Sequence, residues 1–216
     1  MKVKQALVIG GSRGIGKAIT ESLDLICDVT FTNQKKLDTS NLKSVKSFIS
    51  ENSETDILVL NTGGPPKKDF FEVTENEWQK YHMQLFLGFT LILQNIKIRD
   101  DGYIFLISSI HIKEPKIDML LSSAYRTAFS SVFKALSKKF SARNISCINI
   151  APGPIKTDRL KSLVSDFNQL EDSLPMKRVG DPKELGDFIK LLIMNNIKYL
   201  NGVTINFDGG LSNYIF

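Results

Sequence analysis

Apolar residues in this chain cluster in short runs, set apart by longer stretches in which they recur at helical spacing. Val3 to Ile9 is a mostly apolar run that predicts a buried strand. Gly10 to Gly16 reads as a glycine-rich turn, and Gly16 to Leu23 as a helix carrying Ala18, Ile19 and Leu23 on one side. Val29 to Thr32, rich in β-branched residues, predicts a second strand, and Asp56 to Leu60 a third. A long helix is expected from about Glu75 to Ile96, a strand over Tyr103 to Ser108, and a second long helix over Leu120 to Phe140. The pattern continues with a strand over Ile145 to Ile150, a helix over Pro182 to Met194 with Asp181 as its N-cap, and a last strand over Val203 to Phe207.

Strands alternating with helices argue a parallel sheet covered on both faces, an α/β fold of three layers. Ligands of such sheets bind at the carboxyl ends of the strands. The glycine turn, the loop starting at Asn61, Ser108-Ser109 and the loop starting at Pro152 all fall at such ends. Only Asn33-Gln34-Lys35-Lys36 separate the second strand from Leu37-Asp38. A parallel crossover needs about a dozen residues. The connection is therefore expected to be shortened, with a crossover helix missing and the sheet edge trimmed. The length of 216 residues suits one domain spanning residues 1–216.

Composition narrows the function classes. With 42% hydrophobic residues the chain can bury a sizeable core. No apolar run reaches the roughly 18 residues that span a bilayer. The start at Met1-Lys2-Val3-Lys4 lacks a signal-peptide pattern, so a cytoplasmic protein without a membrane partner is expected. Cys27 and Cys147 are expected to be buried, reduced thiols. Two cysteines and two histidines without ligand spacing predict no metal site. The net charge of +5 comes from scattered lysines, which fits a solvated face and no nucleic-acid role. It also suits a protein that holds a polyanionic cofactor.

Gly10, Gly14 and Gly16 form G-x-x-x-G-x-G between a strand and a helix. Glycines there let the backbone turn tightly and approach a pyrophosphate at the helix N-terminus, which predicts a Rossmann-type dinucleotide site. Gly10-Gly11-Ser12-Arg13-Gly14-Ile15-Gly16 resembles the cofactor loop of the short-chain dehydrogenase/reductase family, and the resemblance runs along nearly the whole chain. Asp38 matches the family's adenine-contacting aspartate. Asn61-Thr62-Gly63 matches its Asn-Ala-Gly segment, and Asp208-Gly209-Gly210 its ending after the last strand. Pro152-Gly153-Pro154-Ile155-Lys156-Thr157 matches its Pro-Gly loop, in which Ile155 and Thr157 would face the nicotinamide carboxamide. The resemblance thus implies a doubly wound Rossmann fold and a cofactor site of Gly10, Ser12, Arg13, Gly14, Ile15, Gly16, Asn33, Asp38, Asn61, Gly63, Arg126, Pro152, Gly153, Ile155 and Thr157.

Charge selects the cofactor. NAD binders usually place a carboxylate after the second strand. Here Asn33 stands there, followed by Lys35 and Lys36. Arg13 lies where the family often holds a 2′-phosphate. These cations favour NADP(H) over NAD(H).

The catalytic positions depart from the family. Its chemistry uses a serine, a tyrosine with a lysine four residues on, and an asparagine on the preceding long helix. Ser109 matches the serine. Alignment through Phe133-Lys134-Ala135-Leu136 puts Ser122 at the tyrosine position and Arg126 at the lysine position, and Trp78 to Gly88 puts Leu85 at the asparagine position. Ser122 can donate a hydrogen bond but is too weak an acid for tyrosine's role. Arg126 keeps the charge without shuttling a proton. Tyr125, one helical turn from Ser122, is a candidate substitute acid or a packed helix tyrosine, and it has no lysine four residues later, where Phe129 stands. Lys113 and His111 lie just after Ser109 near the expected substrate space. The catalytic candidates are therefore Ser109, Ser122, Tyr125, Arg126 and Lys113. Two functions remain open: an NADP(H)-dependent reductase of a carbonyl or activated double bond acting on a small molecule, and a catalytically inactive cofactor-binding protein with a regulatory or scaffold role. Lys156 to Pro175 is expected to cover the substrate. The resemblance also implies a homodimer or homotetramer packed through the two long helices.

Overall fold

A computed structural model describes residues 4–215. In chain order the main elements are β1 (Gln5–Val8), α1 (Gly14–Asp24), β2 (Asp28–Phe31), α2 (Leu42–Glu51), β3 (Glu54–Leu60), α3 (Glu75–His82) and α4 (Gly88–Asn95). They continue with β4 (Lys97–Ile107), α5 (Leu120–Ser141), β5 (Ser146–Pro152), α6 (Asp158–Lys161), α7 (Phe167–Ser173), α8 (Pro182–Met194) and β6 (Val203–Phe207). All six strands pair in parallel in the order β2-β1-β3-β4-β5-β6. The expected α/β Rossmann architecture is what the chain adopts.

Strand alternation builds two cores, because successive side chains point to opposite faces. Leu7, Leu58, Leu60, Ile104 and Leu106 meet Val45 and Phe48 of α2, Phe89 and Ile92 of α4, and Phe129 and Phe133 of α5. Ala6, Val8, Ile57, Val59, Phe105 and Ile107 meet Ile19 and Leu23 of α1 and Leu185 and Ile189 of α8. Each such side chain contributes about 1.5–3 kcal/mol by leaving water. Helices α1 and α8 cross closely because Gly186 carries no Cβ, which would lie 2.6 Å from the Ala18 carbonyl oxygen. Cys27 and Cys147 are buried and unpaired; burial raises their thiols to about 11 and about 12.

Three features depart from the expectation. β2 is the outermost strand, and the crossover helix expected to be missing is present: α2 carries the chain from β2 to β3. It starts at Asn41, whose side chain accepts from the Lys43 and Ser44 amides, and it buries Val45 and Phe48. β4 begins at Lys97, ahead of the expected Tyr103, because Ile98 pairs with Thr55 before an irregularity in the β3–β4 register. The first long helix is interrupted between α3 and α4 by a π-helical turn at Met83–Leu87. The other long elements lie within a few residues of their expected places, and Asp181 caps α8 through a capping box with Glu184. The expected start of the first strand at Val3 lies outside the described residues. Among the described residues no helix is long and apolar enough to cross a membrane, and no cluster of metal-ligating side chains occurs.

Candidate active site

The strand order reverses between β1 and β3, and the loops leaving those two strands meet. Gly10 and Gly14 adopt left-handed φ of 65° and 53°, open to glycine at little cost. A Cβ on Gly10 would lie 2.6 Å from the Asn61 carbonyl oxygen, and one on Gly16 only 2.1 Å from the Gly10 carbonyl oxygen. Asn61 locks the pair by donating its Nδ2 to the Gly10 carbonyl at 3.1 Å. Thr32 Oγ1 accepts from the Gly10 amide at 2.9 Å, and Thr20 Oγ1 donates to the Gly16 carbonyl at 2.9 Å. Arg13, the N-cap of α1, makes no side-chain cap, and the first turn holds no acid. The amides there are left for an anion, which the helix dipole favours. This cradle fits a dinucleotide pyrophosphate. Ile15 is half-buried against the α1/α8 side of the sheet. From the opposite side Thr157, the N-cap of α6, comes within 3.2 Å of where a Gly14 Cβ would be.

The rim after β2 is cationic. Arg13, Lys35 and Lys36 are exposed, as is Ser12. Asn33 Oδ1 accepts from the Lys35 and Lys36 amides at 3.0 Å and so shapes the turn. Asp38 accepts from the Ser40 amide and hydroxyl. On the far side Gly153 sits so close to Asp208 that a Cβ would lie 2.9 Å from its Cα. Ile155 is buried and pairs with Gly180.

Arg126 is the hub of the second half of the site. Its Nη1 donates to the Ile107 carbonyl at 2.9 Å, its Nη2 to the Thr62 carbonyl at 3.1 Å, and its Nε to Ser122 Oγ at 3.2 Å. One guanidinium thus ties the ends of β3 and β4 to α5. Burial, with Arg159 nearby, lowers it to about 10, so it stays a cation at neutral pH. Ser122 is buried, and its oxygen accepts from Arg126. Arg159, on α6, donates to the Pro65 carbonyl. The loop between those carbonyls brings Gly64 up to the cations: a Cβ there would lie 3.7 Å from Ser122 Oγ, 3.8 Å from Arg126 Nη2 and 3.9 Å from Arg159 Nη2. Gln84, in the π-helical turn, supports this loop by donating to the Gly63 carbonyl at 2.8 Å.

Residues 12–212 match the family model described as enoyl-(acyl carrier protein) reductase. The chain belongs to the short-chain dehydrogenase/reductase family. Nodulation protein G of Azospirillum brasilense is 27% identical, with 98% of this chain and 99% of that protein covered. The 3-oxoacyl-(acyl-carrier-protein) reductase FabG of Aquifex aeolicus is 28% identical, with 96% and 97% covered. Among solved structures, a blue fluorescent protein from a metagenomic library in complex with NADPH superposes with a TM-score of 0.88 at 23% identity, covering 97% of this chain and 98% of that one. A short-chain dehydrogenase from Burkholderia cenocepacia in complex with NADP gives 0.87 at 20% identity, covering 96% and 97%.

In this short-chain dehydrogenase/reductase the sequence-selected residues divide into two groups. Gly10, Gly14, Gly16, Asn61 and Thr157 converge around the glycine loop, and Ser122 and Arg126 converge beside Gly64. The remaining catalytic candidates have other partners. Tyr125 donates its hydroxyl to the Trp78 carbonyl at 3.0 Å and packs edge-on against that indole, and burial raises its pKa. Lys113 is exposed, its ammonium 4.5 Å from the centre of the Tyr214 ring. His111 Nδ1 lies 3.3 Å from the Glu114 carbonyl, and burial lowers its pKa. Ser109 accepts from the His111 amide at 3.2 Å, which leaves its own proton available. Leu85 is buried with Tyr81 and Leu121 in the π-helical segment. Sequence reasoning missed Arg159 and Gln84. Arg159 lies within the stretch expected to cover the substrate, and the Gly63-Gly64-Pro65-Pro66 run was the available signal that a backbone passes close to other groups there.

Proposed function

We propose that this protein is an NADP(H)-dependent oxidoreductase that reduces a carbonyl or an activated carbon–carbon double bond of a small molecule, without the family's tyrosine and lysine. The observation that carries this reading is the Arg126–Ser122 pair. Because Ser122 Oγ accepts from the guanidinium, its own proton is left to donate, and the neighbouring cation strengthens that donation. A bound NADPH supplies the hydride. Ser122, with Ser109 as a second hydroxyl, stabilises the negative charge that develops on the substrate oxygen, and Arg126 fixes the local positive field. Tyr125 is a packing residue in this reading. Leu85 offers no relay, so the proton comes from water. Relatives named as 3-oxoacyl reductases and neighbours solved with NADPH or NADP support the class of reaction and cofactor.

Two mutations separate the roles in a turnover assay with NADPH and a panel of ketones and enones. Ser122→Ala lowers kcat about 100- to 1000-fold, as for the loss of one preorganised oxyanion donor. Tyr125→Phe leaves kcat close to wild type and costs about 1 kcal/mol of stability through the lost bond to Trp78. A large loss of kcat in Tyr125→Phe would return the proton-donor role to that residue. A wild-type protein that binds NADPH yet turns over no member of the panel would favour the alternative reading, a cofactor-binding regulatory or scaffold protein.

The cationic rim of Arg13, Lys35 and Lys36, with no acid at Asn33, supports a preference for NADP(H). Calorimetric titration is expected to give tighter binding of NADPH than of NADH. Arg13→Ala should weaken NADPH by about tenfold or more, the worth of one charge-assisted contact, and leave NADH nearly unaffected. Equal affinities in the wild type would overturn the assignment. The reading extends to a single-domain cytoplasmic homodimer or homotetramer. The exposed side of α5 carries the small residues Ala124, Ala128, Ser131 and Ala135, which allow a second helix to approach closely.

A further inference from the structure

Arg126 and Arg159 bring two guanidinium groups within 4 Å of one point, the place a Gly64 side chain would fill. Ser122 Oγ lies within the same distance of that point. Among the described residues neither arginine forms an ion pair with a carboxylate. Among the described residues their hydrogen-bond acceptors are neutral: the carbonyls of Thr62, Ile107 and Pro65 and the Ser122 hydroxyl. Like charges held together and partly desolvated raise the energy of the protein unless an anion joins them. Each guanidinium carries five N–H donors, and hydrogen bonds to the described residues use three on Arg126 and one on Arg159. The unused donors and the missing Cβ leave a positively charged notch beside Gly64, with no carboxylate of the described residues to meet it.

We propose that this notch binds a carboxylate of the substrate, which makes the substrate class an oxo acid or an unsaturated acid. The proposal rests on the reductase reading, since it places the anion beside Ser122 and Arg126. Arg159 is then a specificity residue: its guanidinium pairs with the carboxylate, while the Ser122 proton stays with the substrate oxygen that is reduced. Gly64 matters because a side chain there would stand between the loop and the two guanidinium groups and narrow the anion's approach.

The test compares acetoacetate, 3-oxohexanoate and crotonate with their methyl esters, by calorimetric binding to the NADPH-loaded protein and by turnover. Wild type is expected to bind the acids at least about tenfold more tightly than the esters, in keeping with charged hydrogen bonds. Arg159→Met should shrink that ratio to near one while the NADPH dissociation constant stays unchanged. Gly64→Ala should do the same. It is expected to fold, because the added methyl meets its neighbours at 3.7–3.9 Å and Gly64 has no left-handed φ. Acids and esters bound equally by wild type would overturn the proposal. So would an Arg159→Met protein that keeps the acid preference, or one that loses NADPH affinity in its place, which would assign the cation to the cofactor. The two readings fail separately. Acid-selective binding without turnover retains the notch and removes the reductase, whereas turnover without acid selectivity does the reverse.

Discussion

Gly16→Ala is expected to abolish measurable NADPH binding and to destabilise the protein. The added Cβ would lie 2.1 Å from the Gly10 carbonyl oxygen, 2.6 Å from Asn61 Nδ2 and 2.9 Å from the Gly10 carbonyl carbon. No real contact is that short, and two of these atoms are backbone, so α1 must move away from the glycine turn. The turn cannot yield easily either. Gly10 is held by Thr32 Oγ1 through its amide and by Asn61 Nδ2 through its carbonyl. Forcing a methyl into such packing costs about 1–3 kcal/mol, sometimes more. In a chain of this size each kcal/mol lowers Tm by about 2–4 °C. Displacing α1 also turns its first amides away from the pyrophosphate, and so binding fails along with packing. Gly63→Ala is the control for stability: a Cβ there meets nothing within 4 Å, and its Tm should stay near wild type. Calorimetric titration and thermal melts of the three proteins check both effects. A Gly16→Ala protein that bound NADPH like wild type would show that the cofactor lies elsewhere.

The same contacts explain why the first half of the site was legible in the sequence. A strand, a glycine turn and a helix are local in the chain, and the reason for each glycine is a close backbone approach that only glycine permits. The α8 cap was legible for a similar reason, since Asp181 and Glu184 stand three residues apart before an apolar stripe. Helix α2 was not. Its stripe of Val45, Phe48 and Ile49 sits among lysines and serines, and the spacer before Leu37 is too brief to hold a crossover by itself. Tyr125 and Lys113 lie near Ser122 and Ser109 along the chain, but side-chain direction is tertiary information. Tyr125 is drawn to Trp78 and Lys113 to Tyr214, residues 47 and more positions distant. Arg159 depends on a contact 94 residues away, and no local pattern encodes that.

Arg126→Met should remove structure, cofactor positioning and activity together. The side chain donates to the Thr62 carbonyl just after β3, to the Ile107 carbonyl at the end of β4, and to the Ser122 hydroxyl. Methionine fills similar space and satisfies none of these acceptors. Leaving buried acceptors unpaired costs about 1–3 kcal/mol each, and the Ile107 carbonyl belongs to a buried residue. The Gly63-Gly64 loop, held on one side through Thr62, would loosen, and Ser122 would lose the donor that leaves its proton free. The expected result is a loss of kcat/KM of about 1000-fold or more, as the oxyanion donor fails together with its support. Weaker NADPH binding and a lower Tm should accompany it. Arg126→Lys separates charge from geometry. An ammonium is a point charge on a flexible stem and cannot span three acceptors set by a planar fork, so lysine should restore NADPH binding better than it restores kcat. Steady-state kinetics, calorimetry and melting of both variants measure this split. If lysine restored kcat fully, positive charge alone would account for the role of Arg126, and the Ser122 hydrogen bond would lose its place in the mechanism.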